Sequence, residues 1–346
     1  MRTSVLLFLA ALLSAPLAAE LVWSRETGWR IEGGALAGLT AESSGNALEL
    51  MNRARNAEED RRTGKAIDLY EDVTKKYPSS VYAPEAYYRI GLLRQQRREY
   101  FKAFEAYQNL IARYPSSERY SQVIAEQYRL SSQLLDGARN YLWGVVPGFK
   151  NREKALEYFE QIVVNAPYSD YAPLSLMNVA RGHQRAGSTE EAIDALDRMI
   201  NTYPRSVLTP DAYLKLGQAH ANLVEGHYYD QASTKEAITY YEDFLILFPG
   251  DNGAAAAEKG LAEMKTTLAQ SKLTMADYYF KYRNNPKAAK VLYNEAITVY
   301  PDSEIANRAK SQLELVEAKL AGQPAPAVTA PDKPAAPARK KRFILF

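Results

Sequence analysis

The chain has 346 residues, of which 47% are hydrophobic and 24% are charged, and its net charge is +2. Residues 322–346 carry one Asp and five Lys or Arg, a charge of +4, which leaves −2 on the rest. A nearly neutral body argues against nucleic acid as the main partner. Because the chain contains no cysteine, it offers no thiolate for a disulfide, a zinc site, catalysis or lipidation.

The first 44 residues are expected to be a leader rather than part of the folded body. Residues 1–19 have Arg2, an apolar run over 5–13 and a small-residue end at Ala19, which indicates a secretory signal peptide. Cleavage after Ala19 is expected, with an uncleaved anchor as the alternative. Residues 20–44 contain two Trp and a Gly-Gly pair, which fits a short hairpin, an extended arm, or a loosely ordered leader on the first repeat.

One helical phrase recurs in six copies along the chain. In each copy an alanine precedes a proline by twelve residues, with apolar residues at helical spacing between them. The small alanine lets a neighbouring helix approach closely, and the apolar residues form one buried stripe. The pairs are Ala66 and Pro78, Ala103 and Pro115, Ala155 and Pro167, Ala192 and Pro204, Ala237 and Pro249, and Ala289 and Pro301.

The prolines predict where the helices end and where the next ones begin. Proline disfavours helical geometry in the residue before it, so helices are expected to end near Tyr77, Tyr114, Ala166, Tyr203, Phe248 and Tyr300. Pro84, Pro173 and Pro210 follow six residues after the first proline of three copies, a position that fits the first turn of a new helix.

Alternating helices in this frame resemble tetratricopeptide repeats, and Gly91 and Gly217 match the small residue of the first helix of such a repeat. We therefore predict an all-α fold over residues 45–321, a right-handed α-solenoid of about six helix pairs with a C-terminal capping helix. The predicted helices cover residues 47–62, 65–76, 83–96, 101–113, 120–138, 153–165, 172–186, 190–202, 211–223, 234–247, 254–269, 273–282, 287–299 and 304–320.

Two inserts and a tail interrupt or follow this frame. The insert at 140–151 is apolar, and we expect either a loop folded back on the solenoid or a protruding contact site with Trp143 and Phe149. The insert at 224–233 carries Tyr228 and Tyr229, which could face a partner. Residues 322–346 are expected to be a disordered Pro/Ala-rich basic tail, which either contacts the membrane or another polyanion or serves only solubility.

No catalytic, cofactor-binding or metal-binding constellation is recognisable, so a non-enzymatic binding protein is expected. The three histidines, His183, His220 and His227, lack metal-site spacing, and no Gly-rich phosphate loop or nucleophile motif occurs. The 25 tyrosines suit packing and, on a concave face, the binding of extended peptides.

Several stretches resemble the BamD (YfiO) family, the periplasmic tetratricopeptide subunit of the outer-membrane β-barrel assembly machine. These are the repeat junction at 77–91, the LWGV motif at 142–145, residues 233–251 and, most specifically, residues 268–303. The resemblance covers roughly residues 45–318. Family members typically carry a lipidated cysteine after the signal and about five repeats without a basic tail, whereas this chain has six phrases and no cysteine.

The resemblance implies a periplasmic scaffold of outer-membrane protein assembly, peripherally associated with the outer membrane without being a lipoprotein. Its partners would be the β-barrel insertase, other assembly-complex subunits and unfolded outer-membrane proteins. Tyr87, Tyr88 and Arg94 are nominated for an N-terminal groove, and Tyr278, Tyr279 and Lys281 for the insertase contact. The alternative is a generic envelope scaffold for cell-wall, division or secretion machinery.

Overall fold

A computed structural model of the chain describes residues 20–32 and 42–322, and within these ranges it has two β-hairpins and thirteen α-helices. The expected signal peptide and residues 323–346 of the tail lie outside the described residues. The chain divides into two compact units, residues 1–212 and 213–346. The elements are β1 Glu20–Ser24, β2 Gly28–Glu32, α1 Glu42–Glu59, α2 Thr63–Lys76, α3 Ala83–Gln96, α4 Tyr100–Arg113, α5 Tyr120–Leu135, β3 Arg139–Leu142, β4 Val146–Lys150, α6 Arg152–Asn165, α7 Tyr171–Ala186, α8 Thr189–Thr202, α9 Thr209–Asn222, α10 Ala232–Leu247, α11 Ala254–Lys281, α12 Pro286–Val299 and α13 Glu304–Leu320.

The repeat frame decides where helices begin and end. All six predicted end positions are C-cap residues, namely Tyr77, Tyr114, Ala166, Tyr203, Phe248 and Tyr300. The early alanine of each copy is fully buried, in keeping with close helix approach. Pro84, Pro173 and Pro210 lie in the first turns of α3, α7 and α9, where proline sacrifices no helical hydrogen bond.

In the first unit each helix from α1 to α8 packs against the next helix along the chain. Such nearest-neighbour packing is the defining feature of a helical repeat array. The predicted all-α, tetratricopeptide-like fold is therefore confirmed, whereas the count of about six helix pairs stays a prediction. The right-handed sense of the array stays a prediction.

The N-terminal hairpin is part of the first unit's core. β1 and β2 pair antiparallel with Trp23 opposite Trp29, and Trp29 is buried. The Trp29 amide donates a 2.8 Å hydrogen bond to Asn52 Oδ1 of α1, and the Arg55 guanidinium lies 4.3 Å from the centre of the Trp23 ring. Of the alternatives for this stretch, the structure selects a hairpin packed on the first repeat.

In the second unit, α10 packs on α11, α11 on α12, and α13 covers both α11 and α12 as the expected cap. Two separate helices over 254–269 and 273–282 were expected, and this prediction is wrong. α11 is a single helix of 28 residues. The intervening Gln270, Ser271 and Lys272 include no proline or glycine, and Ser271 is buried between helices, so nothing interrupts the backbone ladder.

Candidate partner-binding surfaces

A groove lies between α2, α3 and α4, with a volume of about 680 Å³. We call it the N-terminal groove. Tyr87 and Arg94, about two turns apart on α3, both line it, together with Ile90. The Tyr87 ring is half-buried and lies 6.1 Å from the ring of Tyr114. The remaining lining residues are Glu71, Thr74, Lys75, Pro78, Lys102, Glu105, Ala106, Asn109 and Arg113.

Arg94 is already engaged inside the molecule. Its guanidinium donates hydrogen bonds to Glu99 and, at 2.9 Å, to Glu71 Oε1 of the neighbouring helix α2. Burial by itself lowers the pKa of Arg94, but these two carboxylates raise it above its ordinary value. Burial likewise acts to raise the pKa of Glu71, which hydrogen bonds from Lys75 and Arg94 bring below the usual range. Arg94 therefore has a structural role in the groove wall in addition to its nominated role in partner binding.

Tyr88 does not share the groove with Tyr87. Its ring lies 6.4 Å from the Tyr107 ring and 5.0 Å from the guanidinium carbon of Arg119, and burial raises its pKa. Consecutive residues of an α-helix point about 100° apart, so two adjacent tyrosines rarely line one surface. Of the three residues nominated for the groove, the structure brings together two.

The insert after α5 is an antiparallel β-hairpin, β3–β4, with Trp143, Gly144 and Val145 at its tip. Trp143 is 70% and Phe149 is 94% exposed, so neither packs on the helices. We call residues 139–150 the apolar hairpin. The backbone of the insert packs against the turn between α3 and α4, while its apolar side chains are exposed. Its use as a contact site stays a prediction.

The insert between α9 and α10 is a compact turn in the second unit. Gln231 holds it by donating from Nε2 to the carbonyls of Gly226 and Tyr229, at 3.0 and 2.8 Å. Tyr228 and Tyr229 are both exposed, and the His227 ring lies 4.0 Å from that of Tyr228. Burial lowers the pKa of His227. The tyrosine pair is thus available to a partner, as expected.

The C-terminal end of α11 presents aromatic residues on one side. Tyr278 is half-exposed and Tyr282 is strongly exposed, with their rings 6.1 Å apart, and Met275 is exposed one turn earlier. We call these three the α11 patch. Tyr279, nominated with Tyr278, instead packs on the core of the second unit. Lys281 pairs with Asp277 at 3.1 Å.

A second groove of about 750 Å³ was not anticipated from the sequence. It lies between two inter-repeat turns, residues 167–174 and 202–208, and its walls are mainly apolar. Tyr168 and Val207 project from these turns almost fully exposed. The sequence does contain a signal for this groove. Tyr168 and Val207 are large apolar residues shortly after the repeat proline, at positions where turns usually have polar residues.

The described residues show neither a metal-binding cluster nor a membrane-spanning helix. Residues 20–32 and 42–322 contain no group of three His, Asp or Glu that could hold a metal ion. The His220 ring stacks on Tyr240 at 5.3 Å, a packing role. No described helix combines the length and apolarity needed to cross a bilayer.

Comparison with known protein families gives a match for the second half of the chain. Residues 149–317 match the family model YfiO, described as an outer membrane lipoprotein, and residues 50–80 and 85–117 match a tetratricopeptide repeat model. The chain is thus similar to the YfiO family over residues 149–317. The predicted resemblance to the BamD (YfiO) family is confirmed, and the match includes the stretch at 268–303. The match begins at residue 149, whereas the resemblance was expected to begin near residue 45.

Curated proteins named outer membrane protein assembly factor BamD are similar to this chain at low sequence identity. Two are outer membrane protein assembly factors BamD from Xylella fastidiosa strain 9a5c and Rickettsia prowazekii. The first is 24% identical over 155 residues, which is 42% of this chain and 53% of that protein. The second is 26% identical over 151 residues, 44% of this chain and 60% of that protein. The chain thus spans about half the length of the curated relatives it matches.

Among solved structures, the chain is similar to a tetratricopeptide repeat protein from Parabacteroides merdae and to the tetratricopeptide protein YrrB. The first shares 12% identity with a TM-score of 0.31, over 80% of this chain and 100% of that chain. The second shares 13% with a TM-score of 0.29, over 70% and 97%. The fold assignment rests on the helix pairs themselves.

Proposed function

We propose that the protein is a non-enzymatic scaffold of outer-membrane β-barrel protein assembly, exported to the periplasm and peripherally associated with the outer membrane. The observation that carries this proposal is the match of residues 149–317 to the YfiO family, together with relatives named outer membrane protein assembly factor BamD. A helical repeat array whose described residues contain no cluster that could hold a metal ion fits a binding role.

The α11 patch is the surface we propose for the insertase's periplasmic domains. It lies within the family match and presents Met275, Tyr278 and Tyr282 on the solvent side of a long, well-packed helix. Exposed aromatic residues on a rigid element are the usual anchors of protein interfaces, because they bury much area at small entropic cost. Tyr228 and Tyr229, in the same unit, are a second candidate contact for other assembly subunits.

The N-terminal groove is the surface we propose for unfolded outer-membrane proteins. Tyr87 and Ile90 supply apolar area, while Lys102, Asn109 and Arg113 supply polar atoms at the same groove. Such a mixture suits extended segments, whose backbone needs hydrogen bonds and whose alternate side chains need apolar contacts. The groove accommodates segments of varied sequence, because its polar contacts would be made to the backbone.

The insertase contact is tested by direct binding of the full chain to the purified periplasmic domains of the insertase. We expect Tyr278→Ala combined with Tyr282→Ala to weaken binding by more than about tenfold, the effect of removing interface anchors. Tyr168→Ala, at a fully exposed tyrosine of the first unit, should leave the affinity unchanged.

Unchanged affinity of the double variant, with an intact helical circular-dichroism spectrum, would remove the α11 patch from the proposal. Failure of the unmodified protein to bind the insertase at all would instead favour a generic envelope scaffold for cell-wall, division or secretion machinery. The first repeats favour that alternative weakly, because residues 50–80 and 85–117 match only the general tetratricopeptide model.

A further inference from the structure

The apolar hairpin exposes five large hydrophobic side chains within eight residues. Leu142, Trp143, Val145, Val146 and Phe149 are 46–94% exposed. Leu142 and Val146 are directly opposite in the register, so their side chains lie on one face. A soluble protein rarely exposes so compact an apolar cluster unless it contacts something.

The base of the hairpin is fixed against the turn between α3 and α4 and the first turn of α4. The Tyr141 amide donates to the Arg98 carbonyl at 2.8 Å, and the Phe101 amide donates to Asn140 Oδ1 at 3.1 Å. The Arg98 guanidinium also lies over the Tyr141 ring and bonds its hydroxyl at 3.2 Å. These contacts fix the base of the hairpin on the turn between α3 and α4. In this fixed position the apolar side chains of the hairpin are exposed.

The tip is held in the same way. The Arg97 side chain donates to the carbonyl of Trp143, a residue with φ of +54°. Gly144 follows at φ of +75°, and a Cβ there would lie 2.6 Å from Arg97 Nε. The positive φ angles turn the chain so that Trp143 and Val145 project outward. The Trp143 side chain is thus presented by a fixed turn.

The hairpin and its immediate flanks carry only positive charge. Residues 137–152 contain Arg139, Lys150 and Arg152 and no Asp or Glu. Arg139 and Lys150 are direct cross-strand partners, an arrangement that is unfavourable for like charges unless an anion lies nearby. The nearest preceding acid, Asp136, lies within 3.7 Å of two other arginines, Arg181 and Arg185. The charge of the hairpin therefore complements an anionic surface.

We propose that the apolar hairpin docks the protein on an anionic lipid bilayer, with Trp143 and Phe149 inserted at the headgroup level and Arg139 and Lys150 contacting lipid phosphates. Tryptophan and other apolar side chains beside lysine and arginine are the combination that bilayer interfaces favour. The surface is an exposed apolar cluster rather than a groove, which suits insertion into a fluid interface. This proposal goes beyond the assembly role and does not depend on it.

The test uses the full chain with vesicles of phosphatidylcholine, with or without phosphatidylglycerol, whose acyl chains carry bromine as a quencher. We expect sedimentation with the phosphatidylglycerol vesicles and quenching of tryptophan emission. Trp29 is buried and Trp23 packs under Arg55, so the quenching should disappear in Trp143→Phe. This readout separates docking by the hairpin from docking by the basic tail.

Trp143→Ser combined with Phe149→Ser should weaken vesicle binding by at least about tenfold, because two exposed apolar side chains lose their lipid contact. Val207→Ser, at a similarly exposed residue of the same unit, serves as the control and should bind like the unmodified protein. Because both hairpin residues are exposed, the circular-dichroism spectrum should not change.

Three results would overturn the proposal. The first is the absence of vesicle binding, which would leave a protein partner as the occupant of the hairpin. The second is binding of the double variant at full strength. The third is sedimentation of the unmodified protein without quenching by the brominated chains, which would assign the contact to another segment. No insertase is present in this assay, so its outcome is independent of the assembly role.

Discussion

At the scale of single residues, Glu99 shows how much the first unit depends on satisfied buried charge. Its side chain is 1% exposed, at the N-terminal end of α4. Arg94 donates a hydrogen bond to it, whereas Arg97 lies 3.0 Å from Oε1 in ion-pair contact without hydrogen-bond geometry. Arg94 also reaches Glu71, so it links α2 to the α3–α4 turn. A residue nominated for partner binding therefore also has a structural role.

Replacing Arg94 tests this structural role. Arg94→Ala is expected to lower the free energy of unfolding by about 3 kcal/mol, because it removes the hydrogen-bonding partner of a buried carboxylate. Arg129→Ala removes an exposed arginine paired with the partly buried Glu126 and should cost less than about 1 kcal/mol. Urea unfolding followed by circular dichroism measures both values. Equal effects in the two variants would mean that Glu99 does not depend on Arg94.

At the scale of elements, glycine permits the closest helix contacts in the repeats. A Cβ on Gly91 of α3 would lie 2.1 Å from the ring of Tyr107 on α4, and Gly217 stands in the same relation to Tyr241, at 2.6 Å. Tyr107 is completely buried, and its hydroxyl donates to Gln95 Oε1 at 3.0 Å. The large ring thus occupies the space that a side chain at position 91 would need.

Gly91→Ala should destabilise the protein by about 1–3 kcal/mol, the usual effect of overpacking, although alanine favours helix formation. Gly64→Ala is the matched control, since a Cβ there meets only Arg97 Nη1 at 3.6 Å. It should be neutral or stabilising by about 0.5–1 kcal/mol. Thermal unfolding of both variants tests the packing, and a neutral Gly91→Ala would show that Tyr107 can move.

The elements also show which features a sequence encodes locally. Helix ends followed from the Ala-to-Pro frame, because proline acts on the residue before it and needs no tertiary information. The continuity of α11 did not follow, since Ser271 and its neighbours offer weak local preference and tertiary packing decides. The apolar hairpin was recognised as an insert, but its turn depends on Trp143 at positive φ, which composition alone does not indicate.

At the scale of the whole molecule, the candidate surfaces were only partly predictable. Exposure of Trp143, Phe149, Tyr228, Tyr229 and Tyr278 agrees with their nomination, because each lies outside the repeat's core positions. Adjacent nominated residues are separated because neighbouring helical residues face different directions. Tyr87 lines the N-terminal groove and Tyr88 does not, and Tyr278 is half-exposed while Tyr279 packs on the core. The groove between the turns at 167–174 and 202–208 arises from two segments far apart in sequence and needed coordinates.

The central claim, that this chain is a scaffold of outer-membrane β-barrel assembly, is tested most directly by its companions in the cell envelope. The measurement is co-purification of the tagged full chain from its native envelope in a gentle detergent, read by quantitative mass spectrometry. The account predicts a β-barrel insertase with periplasmic repeat domains, recovered in near-equal amount. Recovery of cell-wall, division or secretion components without the insertase would contradict it, and the similarity of residues 149–317 to the YfiO family would then not extend to a shared function.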